Sequence, residues 1–390
     1  MAVNRPDPAW HFSVLCGRSG FENLRPRWQA LIDRLPRSTY LQQPGWIGSY
    51  LDTLAGQQET LHFVTASRGG VLGGVLVLSQ PTGLRRWLAP ELRMVFGEHM
   101  VLADLVADAQ ETTLWPSMLD WLGRQRALGW AVMWLPAVCA GSVLGQALQA
   151  PLPQGCQRVP RTHSAWLDCS RDADHALADV SKSFRQNLNR LQRRAHAMGT
   201  LGYQVAAQPG ELEPALEQLL RVESSGWKKE QGTAIALDPA LVAFYHRLVR
   251  VFGAQGSCRI YLLTLDDTVI AAQFGLVSDR QLNLLKIGYG QAHASIAPGH
   301  LLMPHTIDRV CADPALDRLS FVTHPAWSHL WKPRLTPVES VHLFAPTLTG
   351  RLAQAVSGWV QARRLRGAGL DANLVAPAPA RNRAPGLVQA

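Results

Sequence analysis

Only five of the 38 basic residues in this 390-residue chain are lysines, and all five lie beyond residue 181: Lys182, Lys228, Lys229, Lys286 and Lys332. Lysine is a compact charge whose pKa moves on burial, whereas arginine is a permanently charged fork. In a chain whose default cation is arginine, these lysines mark either places that need a point charge or simply solvated surface. Glu223 is the sharpest acidic candidate. Leu212, Leu216, Leu219 and Leu220 form the apolar stripe of a helix, and Glu223 falls on that stripe four residues after Leu219. A carboxylate turned inward must be paired or protonated. Either state suits a general base or a ligand for a substrate amine; the structural alternative is a plain Glu–Lys or Glu–Arg pair. Lys286 alternates with Leu282 and Leu284 in a strand and should face inward with them. Trp227 and Lys228 follow the Glu223 helix directly.

Anion chemistry has two candidate places. The segment Val180–Met198 has an apolar stripe of Phe184, Leu188, Leu191, Ala195 and Met198, with Lys182, Arg185, Asn189 and Arg193 on the other side. Five positive charges stand there without an acid, so i,i+4 salt bridges do not explain them; phosphate or another anion does, and so does a solvated face. The second place is the helix start at Ser295–Gly299. Pro298 suits a first turn, Ser295 a cap, and Gly299 a close approach to the free N–H groups. His324 follows a strand, with Lys332 eight residues on; a lone histidine there reads first as structural.

The elements that must hold these residues recur. Leu61–Ala66 and Val71–Leu78 flank a Gly69–Gly70 turn, followed by a helix over Thr113–Leu128 and a strand Ala131–Leu135. Arg259–Leu265 and Val269–Val277 flank an Asp266–Asp267 turn, followed by a strand Gln281–Ile287, a helix from about Ser295–Pro298, and a strand Leu319–Thr323. The repetition predicts a duplicated α+β unit. Residues 1–150 form a degenerate first copy that shapes a cleft, 151–165 a proline-marked linker, and 166–346 the chemically equipped copy. A helix over 347–369 and a disordered Ala-, Pro- and Arg-rich tail over 370–390 complete the expectation. The helix can pack its apolar residues on the body, the expectation favoured here, or meet an anionic lipid surface.

Composition narrows the class. The net charge of +9 resolves into two patches, five charges on Val180–Met198 and five more beyond residue 350, leaving the remainder near neutral. That disfavours a nucleic-acid-binding surface. The six cysteines show no metal or redox spacing, the N-terminus has no export signal, and no apolar run spans a bilayer, so a cytoplasmic protein without a metal is expected.

Several short segments together resemble the acetyltransferase domain of bacterial cellulose- and exopolysaccharide-biosynthesis proteins in the GNAT superfamily, relatives of the Fem-type aminoacyl transferases. They are Gln42-Gln-Pro-Gly-Trp46, Ser181-Lys-Ser-Phe-Arg-Gln-Asn-Leu188, Glu223-Ser-Ser-Gly-Trp-Lys228, Gly232-Thr-Ala-Ile235, Lys286-Ile-Gly-Tyr289, Pro298-Gly299 with Leu301-Leu302, and Trp331-Lys332. The resemblance covers about Leu41 to Leu343 and implies two tandem GNAT-like folds with a cleft between or within them. It implies acetyl-CoA or another acyl-CoA as donor, and an amine or hydroxyl of a small molecule, sugar or lipid-linked acceptor. By it, Glu223 would be base or amine ligand, Lys286 would hold an anionic group, and Tyr289 would donate to the departing thiolate. Ser295, Ala297, Gly299 and His300 would hold the pyrophosphate, and Lys182, Arg185, Trp227, Lys228, His324 and Lys332 the substrates. The chain departs from the family pattern at Ala297-Pro298-Gly299, where a Gln or Arg with spaced glycines is usual, and at Gly290 and His324. Two alternatives stay open: a Fem-type aminoacyl-tRNA-dependent transferase, with tRNA on the basic helix, and a non-catalytic accessory protein docking a polysaccharide synthase through its C-terminal helix.

Overall fold

The computed structural model describes residues 9–84, 86, 90–150, 155–225 and 235–367, without the side chains of residues 126 and 358–367. In chain order the N-terminal half contains β1 (His11–Cys16), α1 (Gly17–Ile32), α2 (Pro44–Thr53), β2 (Glu59–Arg68), β3 (Val71–Pro81), β4 (Glu91–Met94), β5 (Val106–Ala107), α3 (Leu114–Arg124), β6 (Val132–Cys139), α4 (Val143–Ala147) and β7 (Cys156–Asp168). After α5 (Ala173–Ala176) and α6 (Lys182–His196) the same order returns. It comprises β8 (Leu201–Ala206), α7 (Pro209–Ser224), α8 (Pro239–Ala254), β9 (Cys258–Leu265), β10 (Thr268–Ser278), β11 (Gln281–Tyr289), α9 (Pro298–Cys311), β12 (Arg318–Ser320) and β13 (Arg334–Phe344), and the chain continues into α10 (Leu348–Gly367).

The thirteen strands among the described residues join one sheet in the order β1-β2-β3-β4-β6-β13-β7-β12-β11-β10-β9-β8, with β5 on β3. The order is a palindrome. β4 pairs parallel with β6, and β11 parallel with β12, while the outer strands of each half are antiparallel. At the centre the last strands are exchanged: β7, from the first half, pairs with β12, and β13, from the second, pairs with β6. The tight hairpins have the chemistry two-residue turns require. Gly69–Gly70, Asp266–Asp267 and Asp279–Arg280 all have φ between 46° and 81° at both positions.

The stretch expected as a linker is therefore, from Cys156 on, a central strand. Pro160 is tolerated because it sits at a register shift opposite Glu339, where the ladder is already interrupted. One face of the sheet carries α1, α2, α7 and α8 over a single core shared by both halves. Trp46 of α2 meets Phe244 of α8 edge-on at 5.5 Å. A Cβ on Gly45 would come within 2.5 Å of Val251, so the two helices cross at a glycine contact. The opposite face is covered by α3 and α4 in the first half and by α6 and α9 in the second.

Two expectations about helices need correction. Met198 lies beyond the end of α6 and is 45% exposed, so the buried stripe stops at Ala195. In α10, Leu352 and Val356 point to solvent instead of packing on the body. The expected tail, 370–390, lies outside the described residues. No helix among the described residues is long and apolar enough to cross a membrane.

Candidate active site

The parallel pair β11–β12 holds together for three residues, Gln281–Asn283 against Arg318–Ser320. β11 then continues to Tyr289 while the other chain turns away. The turn is built by Val322, a buried β-branched residue at φ +63°, and Thr323 N–H donates back to Phe321 O at 2.6 Å. Such a residue is at home in the left-handed region only when its surroundings enforce it. Ser320 Oγ does so in part, accepting from Val322 N–H at 3.0 Å. The parted chains leave a cleft of about 200 Å³ lined by Leu284, Lys286, Ile287, Phe321, Thr323 and Trp327, among others. In the first half the chain after β4 returns along β6, where Ala103 N–H donates to Ala137 O at 3.3 Å, so the chain itself bridges the equivalent gap beyond β4–β6. Two larger hollows, of about 550 and 430 Å³, lie at the β8–α7 side and between the halves, and Lys286 lines neither.

A bulge decides where Lys286 points. Phe274 of β10 pairs with Lys286, but its neighbour Gly275 pairs with Leu284, so Leu285 is an extra residue. Leu282 and Leu284 face the α9 core, whereas Lys286 shares a face with Phe274 in the core beneath α7. The expectation that Lys286 lies with Leu282 and Leu284 is thus overturned by one inserted residue. On that side its Nζ stands 4.0 Å from Glu223 Oε1. The Glu223 side chain has no exposed surface, and Lys286 is 15% exposed. Ile235 N–H donates to Glu223 Oε2 at 2.9 Å. A Cβ on Gly288 would lie 3.1 Å from Glu223 Cα, so the end of α7 rests directly on β11 there.

The sequence reading missed the N-terminal half's contribution. Tyr245 of α8 is buried beside this pair, and its Oη is 3.0 Å from His99 Nδ1, on the loop after β4. Burial, then the charges of Glu223 and Glu98, hold the Tyr245 hydroxyl well above the ordinary tyrosine pKa. An inward-facing aromatic in Phe244–Tyr245 was the available signal; His99 had none.

The helix start expected to bind phosphate is placed beside the cleft's β11 wall. Tyr289 Cδ1 lies 4.0 Å from where a Gly299 Cβ would stand, and among the described residues outside the helix's own first turns no other atom is as near, so the backbone there can be approached. The cap is Ala297, at φ 46°, and not Ser295, whose side chain makes no cap bond. Arg194 of α6 reaches Ser295 O at 3.5 Å, which sets one basic side chain beside this N-terminus. His300 does not face that start. Its ring packs with Phe184, Trp327 and Trp331 at 5.5–6.3 Å, and burial pushes its pKa down. Phe184 also packs on Trp331 at 5.2 Å, which brings the Lys182 end of α6 and Lys332 to one region, both exposed. Arg185 is turned back: Nε donates to Val180 O at 3.1 Å, and Nη2 reaches both Leu177 O and Ala178 O. It closes the turn before α6, and an anion would have to compete with three carbonyls. His324 lies 6.4 Å from His163, edge to face, outside the Glu223–Lys286 pair. Trp227 and Lys228 lie outside the described residues. Among those described, no group of three His, Cys, Asp or Glu side chains is placed to hold a metal ion.

Residues 182–332, which contain α6 through Lys332 and every cleft-lining residue, match a family model described as an acetyltransferase (GNAT) domain. This segment is similar to GNAT domains. Solved structures share the fold over nearly the whole chain. A crystal structure of FemX is 11% identical with a TM-score of 0.55, covering 85% of this chain and 98% of that one. The C-terminal domain of a putative lysylphosphatidylglycerol synthetase from Agrobacterium fabrum is 12% identical at 0.53, covering 88% and 97%. L-PGS from Bacillus licheniformis is 12% identical at 0.50, covering 85% and 96%. No curated protein matches the chain. The GNAT-like topology thus appears twice here, and the open cleft belongs to the copy that the family model covers.

Proposed function

We propose that this chain is an acyl-CoA-dependent acyltransferase acting on an amine or hydroxyl of a small-molecule, sugar or lipid-linked acceptor, in exopolysaccharide biosynthesis. One observation carries the reading: Lys286 lines the cleft between the parted strands and is held there by a buried carboxylate, Glu223. Attack of the acceptor on a thioester carbonyl places negative charge on the carbonyl oxygen, and a fixed cation in a partly dry cleft stabilises it. Lys286 would be that catalytic cation. Glu223, with no exposed surface, would act through Lys286 as its positioning residue, a narrower role than the base or amine ligand expected from sequence. The C–S bond breaks as the acyl bond to the acceptor forms; Tyr289 O–H would protonate the departing thiolate, and the phenolate so formed would take the proton that the acceptor amine or hydroxyl releases. The α9 start, with Gly299 open and Arg194 alongside, fits a pyrophosphate.

The test is calorimetric titration with acetyl-CoA and longer acyl-CoAs, followed by thiol-release assays over a panel of amines and sugars. Lys286→Ala should lower kcat by about 10²-fold or more while acyl-CoA binding persists. If no acyl-CoA binds, the proposal fails. One observation favours a second reading, a Fem-type aminoacyl-tRNA-dependent transferase: Lys182, Arg190, Arg193 and Arg194 are all exposed on α6, a helix without an acid. Binding of charged tRNA that weakens steeply with salt, without acyl-CoA binding, would establish it.

A further inference from the structure

Eight large apolar side chains are exposed among the described residues, and three of them form one stripe on α10: Leu348 (79%), Leu352 (66%) and Val356 (60%). They stand at i, i+4 and i+8, one above the other. The helix meets the body with its opposite side, and that side is made of small residues. Gly350 is buried, and a Cβ there would lie 2.1 Å from Ala345 O, so only glycine allows the approach. Ala353 is half-buried, and Ser357 Oγ donates to Gln157 Oε1 at 2.7 Å. This inverts the usual surface helix, which buries its leucines and exposes its small and polar residues.

Charge says what the outward face meets. The helix sequence carries Arg351, Arg363, Arg364 and Arg366 and no acid, within a chain whose two basic patches account for its whole excess of positive charge. Arg351 is exposed beside Leu348 and Leu352. Leucine and valine flanked by arginine match the interfacial region of a bilayer with anionic headgroups. Topology agrees. β13 runs antiparallel to β7, and β7 antiparallel to β12, so β13 is parallel to β12. The end of β13 that leads into α10 therefore points to the same strand-end edge of the sheet as the ends of β11 and β12, between which the cleft opens.

We propose that α10 docks this protein on an anionic lipid surface through Leu348, Leu352 and Val356 with its arginines. This stands independently of the acyl-transfer reading, since it rests on another part of the fold. The test is flotation of the full chain with vesicles of 30% phosphatidylglycerol in phosphatidylcholine, and with phosphatidylcholine alone, at 0.15 and 0.5 M salt. The proposal expects binding to the anionic vesicles, at least tenfold weaker binding to the neutral ones, and weakening by salt. Leu352→Ser with Val356→Ser should reduce vesicle binding at least tenfold and leave the melting temperature unchanged, because both side chains are already in solvent. Absence of binding to anionic vesicles, or binding that the double variant retains, would overturn it. So would a dimer in sedimentation velocity that the double variant dissociates while vesicles are ignored, which would give the stripe to a second copy.

Discussion

Replacing Lys286 by methionine keeps most of the side chain's length and removes the ammonium 4.0 Å from a carboxylate that has no exposed surface. Two unit charges at that distance interact by about 4 kcal/mol at an effective dielectric of about 20. The 15% exposure of Lys286 lets water weaken this, so a coupling of about 2–3 kcal/mol is expected, near the lower end of what breaking a buried pair costs. Glu223→Gln keeps the shape and an oxygen for Ile235 N–H while removing the negative charge. The assay is urea unfolding of wild type, Lys286→Met, Glu223→Gln and the double variant, followed by tryptophan fluorescence. Lys286→Met alone should cost the most, and the double variant should recover much of that loss, because the carboxylate no longer needs an ammonium. Additive effects, with coupling below about 0.5 kcal/mol, would refute the pairing and with it the view that Glu223 positions Lys286.

Gly288→Ala should cost about 1–3 kcal/mol in thermal melts, because its Cβ would press on Glu223 Cα, Cβ and N at 3.1–3.3 Å. Asp104 is buried, and burial pushes its carboxyl up to about 6 against the N–H donors of Leu105, Val143 and Leu144. With the folded value above the ordinary 3.8, the native state holds a proton that the unfolded chain releases. Stability from this group is present at low pH and is lost as pH rises through about 6. Relative to Asp104→Asn, the wild type should lose about 3 kcal/mol between pH 4 and 7 in denaturation series; parallel curves would contradict this. Arg185→Ala should destabilise by about 1–3 kcal/mol through the carbonyls it closes, with anion binding unchanged when titrated with pyrophosphate.

The inward placement of Glu223 was legible because a 3.6-residue period needs only local spacing, and α7 is a regular helix. The hairpins were legible because Gly69–Gly70 and Asp266–Asp267 are residue types that tolerate positive φ. Lys286 was misplaced because period-2 reasoning fails across a bulge, and nothing local marks Leu285 as the extra residue. β7 was hidden by Pro160 and by the prolines at 151 and 153 just before the strand, since only the partner strand shows that Pro160 falls at an interruption. His99 and Tyr245 meet across 146 residues, a contact no local pattern encodes. The opening of each half, β1–α1–α2 and β8–α7–α8, has a periodicity that emerges fully only once α2 and α8 pack on each other.

The exchanged strands at the centre of the sheet have a consequence for biosynthesis. As the chain leaves the ribosome, β6 has no neighbour on its inner side until residues 334–344 have been made, nearly the end of the chain. β7, already synthesised, has no place in its own half and must wait for β12. The first half is therefore exported from the tunnel as an unfinished sheet with a long open edge, the kind of surface that chaperones hold and that aggregates capture. A cut in the α5–α6 connection would not release two modules, because each fragment would carry the strand the other needs. Co-expressed fragments should find each other again by that mutual insertion, whereas either fragment alone should stay insoluble.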